Sequence, residues 1–159
     1  MPYRTILLAG AMLALSSCDM ILPPPAPPPG PIAPTATVTL NTATKSPFGT
    51  YVTDGSGRAV YILEGTRGGS GINRCSGMCL NVWPPMPAPP LPTGGSGISP
   101  PGVRTTSGYR GTQMSYSGWP LYYYHHDAAP GDTTGQGVRD QWGTWYLLAP
   151  SGEPIRPHY

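Results

Sequence analysis

Charge is scarce in this sequence. Only 10% of its 159 residues carry one, and nine lysines and arginines stand against seven aspartates and glutamates. That balance leaves no basic stripe for nucleic acid and no block of one sign to act as a charged tail. No Gly-x-Ser-x-Gly, no glycine-rich phosphate loop after a strand and no His-Glu-x-x-His occurs, so the common hydrolase, nucleotide and zinc-peptidase signatures are missing. The acids after residue 46 are Asp54, Glu64, Asp127, Asp132, Asp140 and Glu153, and nothing in the sequence pairs them. The expectation is a protein that is not an enzyme and needs no cofactor. Long amphipathic helical windows are absent too, and no apolar run approaches the roughly 20 residues that a spanning helix needs. With one phenylalanine in the chain and few leucines or isoleucines after residue 46, a core has to be built from other rings.

The N-terminus supplies the first positive signal. Arg4 precedes the apolar stretch Thr5–Leu15, "TILLAGAMLAL", which has the length of an export signal rather than of a spanning helix. "LSSC", Leu15 to Cys18, places a small residue directly before a cysteine and resembles the lipobox of bacterial lipoproteins. The resemblance implies cleavage after residue 17 and lipidation of Cys18, whose acyl chains contribute about 0.8 kcal/mol per buried methylene to membrane attachment. The expected location is the cell envelope, with the domain anchored to the membrane and facing the periplasm. Asp19 is similar to a signal that retains some lipoproteins at the inner membrane. Residues 18–45 then read as a linker. "PPPAPPPGPIAP", Pro23 to Pro34, should run as polyproline II, because each proline lacks an N–H and fixes φ. At about 3.1 Å per residue it would hold a domain roughly 35 to 40 Å from the lipid. The threonine-rich "TATVTLNTATK" adds flexible reach.

From residue 46 to residue 159 the pattern changes to short β-branched and aromatic stretches broken by glycine turns, which predicts a mainly β domain of antiparallel hairpins. One hairpin is expected over Thr50–Glu64, a second over "TQMSY", "SGWP" and "LYYYHH", and a third over "TWYLLAP", "SGE" and "PIRP". The single helical turn is "MCLNVW", which Pro84 and Pro85 must stop. Pro84 to Gly102 is too proline-rich for a central strand and reads as a long loop between two halves. Those halves share a pattern. Gly57 to Thr66 and Gly118 to Asp127 both run glycine, two spacers, an apolar residue and tyrosine, so Tyr61 and Tyr122 would be equivalent if the halves arose by internal duplication, though a match this short also arises by chance.

The stretch from Gly49 to Tyr61 and the segments "CSGMCLNVWPP", "SYSGWPLYYY", "APGDTTGQGV" and "WYLLAPSG" together resemble the bacterial lipoproteins with a repeated Tyr-x-aromatic-x-x-Asp motif, the secreted repeat of unknown function. In the second half the motif is Tyr122, Tyr124 and Asp127. In the first only Tyr61 is kept, with Leu63 in place of the aromatic and Thr66 in place of the aspartate. The resemblance implies an exported, anchored β domain and no established activity. His125 and His126 fall on positions that the family leaves open. Strand alternation sets Tyr122, Tyr124 and His126 on one side and Tyr123, His125 and Asp127 on the other, so the histidines should point apart. A metal site would need His125 and Asp127 with a distant third ligand such as Asp132 or His158, and none is expected.

Two groups remain. Cys75 and Cys79 form an isolated pair in an oxidising compartment, so a disulfide that braces the turn aiming Trp83 into the core is the leading reading. The alternative takes both thiolates as copper(I) ligands, with Met78 or Met86, or as a redox pair. Ten tyrosines and four tryptophans favour rings with a polar handle. An exposed face of Trp119, Tyr122 and Tyr124 would suit an envelope protein or a glycan as partner. The expected function is therefore a non-enzymatic envelope module, with the cysteine-based metal or redox protein as its alternative.

Overall fold

A computed structural model describes residues 38–69 and 75–157. The export signal, Cys18, the proline run and His158 lie outside the described residues. The fold is mainly β, as the residue pattern indicates, and consists of three small sheets of three strands. Among the described residues, no helix is long and apolar enough to cross a membrane.

In the first sheet β1 (Val38–Lys45) lies between β2 (Gly49–Asp54) and β4 (Thr93–Gly94). β1 pairs antiparallel with β2 and parallel with β4. This corrects two expectations. Val38–Lys45 is a strand and not flexible linker, because its alternating β-branched residues find a partner in β2. The Pro84–Gly102 stretch also contributes a short edge strand, at the one place where "TG" interrupts its prolines. In the second sheet β9 (Gly143–Leu147) lies between β3 (Tyr61–Leu63) and β8 (Arg139–Asp140). In the third, β6 (Gly111–Tyr116) lies between β5 (Val103–Gly108) and β7 (Trp119–Pro120). The expected Thr50–Glu64 hairpin forms only at its neck, where Asp54 N–H donates to Arg58 O at 2.9 Å. Beyond it β3 leaves β2 and pairs with β9. The second hairpin turns through Ser117 (φ 50°) and Gly118 (φ 85°), a two-residue loop with both φ positive, which matches the twist of the strands it joins. The third closes with Ala149 N–H on Glu153 O at 2.9 Å. The helical turn is present as α1 (Cys79–Val82).

The two halves meet back to back at the matching tyrosines. Tyr61 N–H donates to Tyr122 O at 2.8 Å, and Tyr122 N–H returns a bond to Tyr61 O at 3.0 Å. Each tyrosine strand then runs along a tryptophan strand from the other half. Tyr61 pairs with Leu147 and Leu63 with Trp145; Tyr122 pairs with Pro85, and Tyr123 N–H donates to Pro84 O at 2.8 Å. Continuing that register puts Tyr124 opposite Trp83, as Leu63 is opposite Trp145. The halves are thus related by an approximate twofold axis and have exchanged partners.

This crossing buries β3 and β9 on both faces. Val60, Ile62, Leu121, Tyr146 and Leu148 enter one apolar cluster, and Tyr61, Leu63, Tyr122, Trp145 and Leu147 enter the other. The period of two along each strand distributes alternate side chains between the two cores.

Candidate functional site

The residues picked out by the sequence converge on the second core. Tyr61, at the centre of the crossing, has no solvent exposure. Its O–H donates to Asp127 Oδ2 at 2.6 Å. Asp127 Oδ1 accepts from Thr134 N–H at 2.9 Å and from Thr134 Oγ1 at 2.5 Å. The Tyr61 oxygen itself accepts from Gly135 N–H at 3.3 Å. Burial, followed by the hydrogen bond to Asp127 and its charge, holds the Tyr61 phenol far above the ordinary tyrosine range. The motif tyrosine of one half is therefore answered by the motif aspartate of the other. The first half has no such carboxylate to return. Thr66, in the aspartate's place, is buried and directs its hydroxyl to Leu63 O at 2.8 Å.

Gly135 is where the closing loop can approach. A Cβ there would lie 2.9 Å from Tyr61 Cζ and 3.0 Å from Tyr124 Cβ.

Beside this pair stands a stack of rings. Trp83 and Trp145 are parallel within 8° at 4.0 Å, and Trp83 stacks on Tyr124 at 4.3 Å. One carboxylate serves both indoles. Asp140 Oδ2 accepts from Trp83 Nε1 at 2.9 Å and from Trp145 Nε1 at 3.0 Å, while its Oδ1 accepts from Trp142 and Gly143 N–H. Asp140 and Thr134 were not singled out from the sequence. The signal that could have found Asp140 is the pair of tryptophans, since buried indole N–H groups require an acceptor.

Cys75 and Cys79 are joined in a disulfide with Cα atoms 5.1 Å apart. Both are buried, and Trp83 N–H donates to Cys79 O at 2.7 Å at the end of α1, so the bridge does brace the turn that delivers Trp83. The sulfurs are used in that bond, and the copper alternative loses its thiolates. Met78 points outward at 75% exposure while Met86 is buried. Among the described residues no group of three or more His, Cys, Asp or Glu could hold a metal ion.

Two further expectations are corrected. Trp119 and Tyr122 are 6% and 1% exposed and Tyr124 is half-buried, so the three form no contact face. Trp119 Nε1 is satisfied internally, on Gly152 O at 3.1 Å. Their polar handles serve interior hydrogen bonds because rings are what this chain has to bury. Alternation also ends at Tyr124. Tyr122 and Tyr124 share the second core and Tyr123 packs on the first, but the chain then turns. His125 and His126 lie side by side on the surface with ring centroids 3.6 Å apart, and Asp127 is carried back inside.

With this geometry in place, comparison with known proteins gives one match. Residues 105–149 match the family described as a secreted repeat of unknown function. This is the family that the quoted segments resemble, and the matched stretch holds β6, the second motif and β9. A secreted family fits an extracellular or envelope protein. No curated protein and no solved structure gives a match.

Proposed function

We propose that the protein is a cell-envelope lipoprotein, held to the membrane through Cys18 and facing the periplasm, whose β domain is a non-enzymatic module that binds a segment of another envelope protein. The supporting observation is a groove of about 420 Å³, within the size range of binding clefts. Pro47, Phe48, Ile155 and Pro157 give it apolar walls, and Gln136 and Arg156 give it polar ones. Gln136 is fixed in place, donating to Ile155 O and accepting from Leu147 N–H, both at 2.6 Å. Arg156 reaches Glu64 at 3.0 Å from an exposed position. An extended peptide with an apolar side chain and an acidic neighbour suits such walls better than a glycan, which would need the exposed stacking face that Trp119 and Tyr122 do not provide. The groove also adjoins the end of β1 away from Val38. Eight strand residues of about 3.3 Å each separate it from Val38.

The six carboxylates among the described residues are all engaged within the chain: Asp54, Asp127, Asp132 and Asp140 by hydrogen bonds, Glu64 and Glu153 by ion pairs. None of them is among the residues that line the groove, which supports a binding role there. Metabolic labelling with palmitate tests the anchor: label is expected on the wild type, and Cys18→Ser should lose it and release the chain from the membrane. A photo-crosslinking residue at Phe48 should give a discrete adduct in intact cells where one at exposed Tyr109 gives none. Equal labelling of Cys18→Ser, or the same adducts from both positions, would reject the respective half of the proposal.

A further inference from the structure

The rings of the second core touch in an unbroken series that reaches the surface. Trp145 stacks on Trp83, Trp83 stacks on half-buried Tyr124, and Tyr124 meets the exposed His126 ring at 5.2 Å. Inward, Trp83 meets Tyr61 edge-on at 5.6 Å. Tyr124 also meets Tyr61 directly, edge-on at 6.3 Å, so the buried phenol is joined to the outer ring both through the closer Trp83 and by this longer contact. Two carboxylates stand beside the buried rings of this series, where loss of an electron would leave positive charge or free a proton. Asp140 bridges the two indole N–H groups, and Asp127 holds the Tyr61 O–H at 2.6 Å. A phenol gives up an electron readily only when its proton can leave at the same time, and a short hydrogen bond to a carboxylate provides that path without solvent.

We propose that Tyr61 is a buried one-electron redox residue connected to the surface through Trp83 and Tyr124. The oxidant is an outer-sphere one-electron acceptor, such as a metal complex, that reaches Tyr124. It gains one electron from the ring series, and the vacancy passes to Trp83, where Trp145 shares it above Asp140. Tyr61 then supplies an electron to Trp83. Its O–H bond breaks, and the proton crosses to Asp127 Oδ2. The oxidant is reduced by one electron, Tyr61 becomes a neutral phenoxyl radical and Asp127 a neutral acid still bonded to it. An outer-sphere one-electron donor at Tyr124 reverses the sequence, with Asp127 returning the proton. Thr134 occupies Oδ1 and leaves Oδ2 for this exchange. The device is one-sided: Tyr122 touches Trp145 at 5.2 Å, yet Thr66 gives it no carboxylate.

Neither the membrane anchor nor the groove has a part in this device. Mature protein with its disulfide intact is oxidised by flash-generated ruthenium(III) tris-bipyridine and followed by optical and freeze-quench electron paramagnetic resonance spectroscopy. The expected result is a long-lived tyrosyl radical that decays more slowly in D₂O, survives in Tyr109→Phe and is lost in Tyr61→Phe. If Tyr61→Phe does not fold, Tyr124→Phe at the outer end is read instead and should lose most of the radical yield. A long-lived signal that is unchanged in the folded variant overturns the proposal, as does a wild type that shows only a short-lived radical.

Discussion

Removing the carboxylate that joins the two halves should unfold much of what the crossing builds. Asp127→Ala takes away the acceptor of a phenol with no exposure to water, so the Tyr61 O–H is left buried and unpaired. A buried donor without a partner costs about 1 to 3 kcal/mol, and the lost bond to a charged group accounts for a similar amount. Thr134 is exposed and can turn to water, so its share is small. The expected destabilisation is about 3 to 4 kcal/mol, a large part of the stability of a domain this size. Tyr61→Phe should cost less, about 2 kcal/mol, because Asp127 keeps both bonds from Thr134. Once either partner is gone the other has little left to lose. The double variant should therefore be more stable than the sum of the singles predicts, by about 1.5 to 3 kcal/mol. Urea denaturation of soluble Cys18→Ser protein, followed by tryptophan fluorescence, gives all four free energies. Additivity to within about 0.5 kcal/mol would refute the claim that Tyr61 and Asp127 form one unit.

Gly135→Ala should destabilise the domain by more than an ordinary loop substitution, because the new methyl would lie 2.9 Å from Tyr61 Cζ; a midpoint shift in the same denaturation curve measures it, and an unchanged midpoint contradicts the close approach. Cys75→Ser with Cys79→Ser removes a bridge that spans four positions, worth about 2 kcal/mol by loop closure, and the loss should appear equally in wild type kept under strong reductant. Burial and neighbouring carboxylates hold the Tyr61 and Tyr123 phenols above the ordinary range, by Asp127 and Asp54 respectively. A raised folded value stabilises below the unfolded value of about 10 and is lost above it, so stability should fall as pH rises past that point. Phenolate absorbance should then show these two rings titrating only together with unfolding.

The local features were legible in the residues because their causes are local. Glycine turns and β-branched runs marked the third hairpin, Pro84 stopped α1, and the isolated cysteines became a bridge. Tyr122 and Tyr124 fell on one side as alternation requires. What periodicity does not reveal is the partner. The run that holds Tyr61 showed its two faces clearly, but a hairpin with β2 and a long-range pairing with β9 present the same alternation. The expectation of an outward-facing aromatic surface failed for a related reason. In a strand buried on both faces a tyrosine needs its hydroxyl for an interior acceptor, and those acceptors, Asp127 and Asp140, lie 66 and 57 positions from Tyr61 and Trp83.

The exchange of partners between halves explains why a partly degenerate motif can persist without loss of the fold. Tyr61 keeps a carboxylate because the second half supplies it, and so the first half can lose its own aspartate while Tyr61 stays satisfied. The counterpart Tyr122 is held differently: burial raises its phenol while a hydrogen bond with Gln113 works the other way. The twofold relation survives in the backbone register and in the tryptophan opposite each motif strand. It is broken at Leu63, which replaces the motif aromatic, and at Thr66, leaving one pairing of motif tyrosine with motif aspartate where a symmetric duplication would hold two.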